Sequence, residues 1–262
     1  MSKLEATATV LPIEGFSLKA GDVYIIEKGK TKLVNRCMQE RHMNYSVPDP
    51  VSPKDSITEP SRRYGISGKK LANLRGYHPP KTKEVPEYPK KLTQIQRSVL
   101  FGTDDAGNPA TSELAKYNLP PGGCYGKAEA EINKGELPNS SISVARMINS
   151  SSFSDSLRHS AVRRVFKAWS ECMSHQGYEY ASPLDSVGDP KHYKGEPTKS
   201  EIKTALTDIA CKRETNLIQI WSDVERKIQS GLIRRNKEKL DVLRSFQEKQ
   251  IANSRRVIRE RR

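Results

Sequence analysis

The sequence predicts a mainly α-helical protein made of two loop-rich halves, each stapled by one disulfide, with a long C-terminal helix. Apolar residues recur three and four positions apart over much of the chain, which is the spacing of one helix face. Clusters of proline, glycine and serine interrupt this pattern and indicate loops. Four cysteines fall into two similar units, one in each half, which favours a cross-link within each half.

The first half, residues 1–139, is predicted to carry helices between long loops. An apolar stripe that includes Val34 and Cys37 predicts a helix near 22–43, which Gly29 weakens. Further helices are shorter and are expected at 67–75, 92–100 and 124–132. Loops rich in Pro, Gly, Ser and Asp are predicted at 46–65, 77–91 and 102–123.

The second half begins after a serine-rich stretch at 140–156, which is predicted to be a linker. Residues 157–262 are then expected to form a helical hairpin that includes a long basic helix. A clean amphipathic stripe runs from Leu157 to Met173, and Gly177 stands where that helix would end.

The next helix has a clear start in the sequence. Thr198 and Glu201 have the form of a capping box, in which the two side chains bond reciprocally to backbone amides. The helical pattern then continues to Val257, a length of roughly 90 Å if it is unbroken. Gly231 or Asn236 is the expected place for a bend.

The cysteines occur in a weak internal duplication. Cys37-Met38 and Cys172-Met173 are each followed by a tyrosine eight residues after the cysteine and then by a Pro/Asp cluster. Cys124 follows the first unit and Cys211 follows the second, so the simplest pairing is Cys37 with Cys124 and Cys172 with Cys211. Four buried free thiols remain an alternative. A zinc site made by all four is disfavoured because no two stand in a CxxC spacing.

The chain is strongly basic, with 45 Lys and Arg against 31 Asp and Glu, a formal net charge of +14. This charge favours anionic partners. Residues 226–262 contain 13 of the basic and 4 of the acidic residues. The predicted polyanion-binding residues are Arg234, Arg235, Lys237, Lys239, Arg244, Arg255, Arg256 and Arg259. The alternative is a solvated helix end whose cations complement the helix dipole.

No chemistry-bearing motif is present. The five histidines are scattered without an HExxH pair, and no P-loop, GxGxxG or GxSxG motif occurs. We therefore expect no cofactor, no metal site and no enzymatic activity. A hydrolase with an unfamiliar site in a groove between the halves is an alternative, with His78, His175 and, if free, Cys124 as candidates. No apolar run approaches the roughly 18 residues of a membrane span.

Several short motifs resemble an uncharacterised family of exported or lipid-anchored actinobacterial proteins. In the second half they are Cys172-Met173, Gly177-Tyr178-Glu179-Tyr180, Asp189-Pro190, Pro197-Thr198, Glu201-Ile202 and Asp208-Ile209-Ala210-Cys211-Lys212. In the first half they are Arg63-Tyr64-Gly65-Ile66, Gly76-Tyr77-His78 and Gly122-Gly123-Cys124. The resemblance covers most of residues 33–240.

The resemblance implies an extracellular or cell-envelope location and disulfide pairing within each half, and it brings no activity with it. No signal peptide or lipobox cysteine follows Met1, so a cytoplasmic location is the alternative. We expect a non-enzymatic binding or structural protein that contacts an anionic envelope polymer or an envelope protein through its basic C-terminal helix. An intracellular nucleic-acid-associated protein using the same helix is the alternative, and self-association of that helix as a coiled coil is a further hypothesis.

Overall fold

A computed structural model of the protein describes residues 10–53, 62–79 and 92–260. These residues form 11 α-helices and no β-strand, which confirms the mainly α-helical prediction. The helices are α1 Ala20–Glu40, α2 Lys69–Arg75, α3 Gln94–Phe101, α4 Thr111–Lys116, α5 Gly123–Asn133, α6 Asn139–Arg158, α7 Ser160–His175, α8 Pro183–Gly188, α9 Lys199–Glu214, α10 Leu217–Arg235 and α11 Lys237–Arg259. None of the helices described has the length and apolar character needed to cross a membrane.

The chain folds into two compact units whose segments alternate along the sequence. Of the described residues, unit 1 contains 10–15, 62–79 and 143–237, and unit 2 contains 16–53, 92–142 and 238–260. The expected division into successive halves, 1–139 and 157–262, differs from this arrangement because each half contributes segments to both units.

The serine-rich stretch that was expected to be a linker lies inside helix α6. Its hydroxyls bond to carbonyls one turn earlier, as Ser151 Oγ does to Met147 O at 2.7 Å. Ser152 and Ser156 are fully buried. Ser156 accepts a hydrogen bond from Trp221 Nε1 at 2.7 Å. The serines are therefore compatible with a helix because each finds a local or buried partner.

The core of unit 1 is formed where α7 packs against α10. The apolar stripe predicted for α7 is buried and supplies Val162, Val165, Trp169 and Met173. Trp221 of α10 is fully buried among aromatic rings, with centroids 4.8 Å from Phe166 and 5.0 Å from Tyr64. Helix α9 packs against both α7 and α10, and α2 packs on α9.

Unit 2 has two apolar clusters. The first joins α1, α3 and α5 and contains Val34, Met38, Val99, Leu100 and Ala128. The second joins α1, α5 and α11 through Ile26, Ile132 and Val257. The apolar stripe of α11 is at most 5% exposed at Leu240, Leu243 and Val257. Three apolar residues of the helix for which a coiled coil was considered are therefore buried.

Both predicted disulfides are present. Cys37 bonds Cys124 in unit 2, and Cys172 bonds Cys211 in unit 1, each with a Cα–Cα distance of 5.7 Å. No cysteine is left as a free thiol. This pairing excludes the alternatives of four free thiols and of a zinc site, because a disulfide sulfur cannot act as a thiolate ligand.

The two Cys-Met units share one local structure, the C-terminal cap of a helix. The amides of Met43 and Tyr178 each bond a carbonyl five residues earlier, those of Met38 and Met173, at 3.0 Å. The preceding residue is left-handed in both, with φ 56° at His42 and 83° at Gly177. The likeness does not extend to the second cysteines, because Cys124 opens α5 whereas Cys211 lies in the last turn of α9.

The long C-terminal helical pattern is divided into three helices. Asn216, with φ 54°, separates α9 from α10, and Asn236 separates α10 from α11. The helix break at Asn236 coincides with one of the two positions where a bend was expected, whereas Gly231 lies inside α10 and the break at Asn216 was not predicted. The short helix α4 also falls in a segment, 102–123, that was expected to be a loop.

Candidate functional site

Helix α9 carries a buried polar network on its inner face. Lys212 Nζ lies 2.9 Å from Asp208 Oδ2 and also donates to the carbonyl of Ile66 at 3.1 Å. Trp169 Nε1 donates to Asp208 Oδ1 at 3.0 Å. Burial raises the pKa of Asp208 and lowers the pKa of Lys212, and the contact between the two opposes both effects. Every polar atom of this charged pair thus has a protein partner, as a buried pair requires.

The segment that follows α2 docks against the first turn of α9. Thr198 Oγ1 accepts from the amide of Glu201 at 3.1 Å, which is one half of the predicted capping box. The other half is absent because Glu201 Oε1 accepts from the amide of Tyr77 at 2.8 Å, and Oε2 lies 3.4 Å from His78 Nε2. Glu201 therefore joins two distant segments instead of capping its own helix.

Two glycines show that α2 runs antiparallel to α9. A Cβ atom on Gly76, just after α2, would lie 2.3 Å from Glu201 Oε1 at the start of α9. A Cβ atom on Gly65, before α2, would lie 2.6 Å from Lys212 Nζ near the end of α9. Lys69, the first residue of α2, consequently lies towards the C-terminal part of α9.

The outer face of α9 forms the floor of a groove of about 670 Å³ in unit 1. Five residues spaced four and three apart line the floor in a straight stripe, Lys199, Lys203, Leu206, Ala210 and Arg213. Lys69, Cys172, Gln176 and Glu214 also line this cavity, which we call the α9 groove. The stripe runs from 199 to 213, so that its two ends lie about 21 Å apart along the helix.

The α9 groove is basic and its cations are not neutralised. None of Lys69, Lys199, Lys203 and Arg213 forms a salt bridge within the described part of the chain, and Glu214 is the single acidic residue of the lining. Lys69 and Lys199 begin their helices, where the helix dipole disfavours a cation. Helix stability therefore does not explain why these two lysines stand at helix N-termini. Attraction of an anion to the groove would explain their position.

Unit 2 contains a groove of similar volume, about 600 Å³, with different electrostatics. Its three cations are matched by three carboxylates, and the pairs are Arg36–Glu260 at 3.6 Å, Lys127–Glu40 at 3.7 Å and Arg256–Glu131 at 2.7 Å. An anionic ligand would have to displace existing ion pairs there. The α9 groove, whose four cations form no salt bridge among the described residues, is therefore the candidate site.

The eight residues predicted to bind a polyanion are not brought together on one helix. Arg234, Arg235 and Lys237 belong to unit 1, and the other five belong to unit 2. Arg256 is paired with Glu131 and with Glu260, and Arg244 lies 4.4 Å from the centroid of the Phe16 ring. All eight residues are exposed to solvent, but none of them lines the α9 groove.

The candidates for the hydrolase alternative are dispersed. Cys124 is not available as a nucleophile because it is bonded to Cys37 in unit 2. His175 is exposed at the end of α7, and His78 lies beside Glu201, both in unit 1. In the ranges that the structure describes, no three His, Cys, Asp or Glu side chains are grouped so that they could hold a metal ion.

No protein-family model matches the chain, and no curated protein and no solved structure is significantly similar to it. The resemblance to exported actinobacterial proteins therefore stays a prediction. Four residues from its motifs, Tyr77, Glu201, Asp208 and Lys212, take part in buried contacts between α9 and the segment that contains α2.

Sequence reasoning missed the α9 groove although its stripe is visible in the sequence. Ile202, Leu206 and Ile209 belong to the helical pattern that continues to Val257, and no separate exposed face was predicted for this segment. In the structure the buried face is centred on Ala205, Asp208 and Lys212, and Leu206 is half-buried on the outer side. The signal that could have revealed the groove is the set of cations at the same four-three spacing as Leu206.

Proposed function

We propose that this protein is a non-enzymatic, extracytoplasmic binding protein whose α9 groove binds an anionic partner. The observation that carries the proposal is the unneutralised charge of the groove, four cations against one carboxylate. Coulomb attraction by such a concave, partly apolar surface is stronger than attraction by isolated surface cations, because the low-dielectric walls focus the field.

The location is supported by the cysteines. All four are paired, and disulfides persist in oxidising compartments while they are rare in the cytosol. Alkylation of protein from its native source, with and without reductant, tests this part. We expect no alkylation without reductant. Four alkylated cysteines without reductant would contradict an extracytoplasmic location and would favour an intracellular, nucleic-acid-associated role.

The binding part is tested with polyphosphate and polyglutamate as anionic probes. We expect affinity to fall by roughly 20- to 50-fold between about 50 and 200 mM salt, the dependence for three or four neutralised cations. The double variant Lys199→Glu/Lys203→Glu is expected to abolish most of this binding. Both side chains are exposed, so their replacement should leave the fold intact.

Two matched variants carry the same change in charge at other places. Arg163→Glu/Arg164→Glu alters an exposed face of α7, and Arg255→Glu/Arg259→Glu alters α11. We expect both to retain most of the affinity. If the α11 variant alone lost binding, the site predicted from the sequence would be correct and the groove proposal wrong. Equal losses in all three would indicate attraction by net charge without a site.

A further inference from the structure

We propose that the natural occupant of the α9 groove is an acidic amphipathic helix of a partner protein. This inference rests on the proposed function, because it names the partner class for the same site. It is carried by the distribution of charge and apolar surface along the groove and by the spacing of the residues on its floor.

The groove is basic at its two ends and apolar in its middle. Lys199 and Lys203 lie at the N-terminal end of α9, whereas Arg213 lies at its C-terminal end, towards which the antiparallel α2 also directs Lys69. Between the two ends the lining is mostly apolar and includes Ile202, Leu206, Ile209 and Ala210, with Thr207 as its polar member. A ligand that fits this pattern needs an apolar middle and anionic groups on either side of it.

The floor has the geometry of a helix-pairing seam. Residues 199, 203, 206, 210 and 213 alternate steps of four and three, which is the spacing that keeps one face of a helix against a partner helix. Leu206 and Ala210 occupy the centre of this seam, and the small side chain of Ala210 leaves room for a side chain from the partner. Helix-in-groove recognition uses apolar anchors at matching intervals.

Other occupants fit less well. A uniform polyanion such as polyphosphate would contact the cations but would leave the apolar middle without a partner. A second copy of this chain, which carries a formal net charge of +14, would place like charges against each other at this seam. Glu214 adds a detail, since the partner helix should place a Lys or Arg opposite this single carboxylate.

A displayed library of helical peptides of about 15 residues, long enough to span the groove, tests the inference without assuming a sequence. The library is selected on the wild-type protein. We expect the enriched peptides to carry apolar residues at four-three spacing flanked by Asp and Glu. Enrichment of acidic peptides without an apolar stripe, or no enrichment, would overturn the inference.

The affinity of an enriched peptide is then measured by fluorescence anisotropy on variants that leave the charge unchanged. We expect Leu206→Asn and Ala210→Gln to lower the affinity for the peptide by at least about tenfold. Ala210 is exposed, so its variant tests the seam even if Leu206→Asn fails to fold. Polyphosphate binding should stay within about twofold in both variants, because no phosphate contact is removed.

The outcomes separate the two proposals. Lys199→Glu/Lys203→Glu could weaken polyphosphate binding while the seam variants Leu206→Asn and Ala210→Gln leave peptide binding unchanged. In that case the groove binds anions and the partner is a polymer. If Lys199→Glu/Lys203→Glu weakens neither probe, the proposed function itself fails. A loss of peptide binding in the seam variants together with retained polyphosphate binding is the result expected from an acidic amphipathic helix.

Discussion

Glu225 is the residue on which the buried contacts of unit 1 converge. Its side chain is completely buried and accepts hydrogen bonds from Arg63 Nε at 2.9 Å, Tyr64 Oη at 2.8 Å and Ser152 Oγ at 2.9 Å. Burial raises the pKa of Tyr64, and its hydrogen bond to Glu225 adds to this effect, so the hydroxyl remains a donor. One carboxylate thereby ties the segment before α2 to α6 and α10.

We predict that Glu225→Gln destabilises the protein by about 3 kcal/mol, because it removes the negative charge from the ion pair that the fully buried Glu225 forms with the mostly buried Arg63. Urea denaturation measures the change. Asp223→Asn, two residues earlier on the same helix, is the matched control. The pair of Asp223 with Arg226 is largely exposed, so we expect a loss below about 1 kcal/mol. Equal losses in the two variants would contradict this account of Glu225.

Asp189 is expected to make the stability of the protein depend on pH. The amide of Lys191 and the hydroxyl of Tyr180 donate to its two carboxylate oxygens, both at 3.0 Å. These contacts, the amide first, lower the pKa of Asp189 below its ordinary value of 3.8. Burial, followed by the contact with Asp189, raises the pKa of Tyr180 to about 12.

A folded-state pKa below the unfolded value means that Asp189 stabilises the fold above about pH 4 and that this contribution is lost as the pH falls further. We expect wild type to lose more stability than Asp189→Asn between about pH 6 and about pH 3. Tyr180 has the opposite sign, since its contribution is lost as the pH rises from about 10 to about 12. Parallel urea midpoints for wild type and Asp189→Asn across the acidic range would refute the first expectation.

At the scale of elements, two helix-interior glycines look alike in the sequence but differ in the fold. A Cβ atom on Gly29 of α1 would lie 2.9 Å from Ser254 Cβ and 3.0 Å from Ser254 Cα of α11. A Cβ atom on Gly231 of α10 would meet nothing within 4 Å. Gly29 is therefore needed for the close approach of two helices. Gly231 lowers helix stability, and no neighbouring element approaches it closely enough to require a glycine.

We predict opposite signs for the two alanine substitutions. Gly29→Ala should destabilise by about 1–2 kcal/mol, because the close contact outweighs the better helix propensity of alanine. Gly231→Ala should stabilise by about 0.5–1 kcal/mol. Thermal or urea unfolding of the two variants measures both effects. Stabilisation by both substitutions would show that α1 and α11 do not approach as described.

The elements that the sequence predicts well are those with strong local signals. The stripe of α7, the stop at Gly177 and the break at Asn236 are all found in the structure. The serines of α6 were misassigned because their partners, such as Glu225 and Trp221, are far away in the sequence. The α9 groove was not predicted for the same reason. The apolar spacing within α9 does not indicate which of the two faces of the helix is covered by other elements.

At the scale of the whole molecule, the disulfides lie one in each compact unit and differ in exposure. Cys37 and Cys124 are buried, whereas Cys172 is half-buried and lines the α9 groove. Thiolate attack requires access to a sulfur atom, so the disulfide in unit 1 is the more accessible to a reductant. The pairing was predictable because each Cys-Met unit is followed by one further cysteine, while the alternation of the two units was not.

We predict that limited reduction without denaturant opens Cys172–Cys211 before Cys37–Cys124. Alkylation followed by peptide mass analysis identifies the thiols that appear first. The two disulfides close segments with sequence separations of 39 and 87. Replacing each pair by serine should cost about 2–4 kcal/mol, with the larger loss for the longer loop. First labelling at Cys37 and Cys124 would contradict the burial described here.

The most direct test of the account is to map where an anion binds on the intact protein. A titration with short polyglutamate, followed by backbone amide NMR shifts, reports each residue of the 29.5 kDa chain separately. We expect the shifts to concentrate on Lys69, on Gln176 and along 199–214. Shifts concentrated around Arg255 and Arg259 of α11, or spread evenly over the exposed cations, would contradict the assignment of the α9 groove as the binding site.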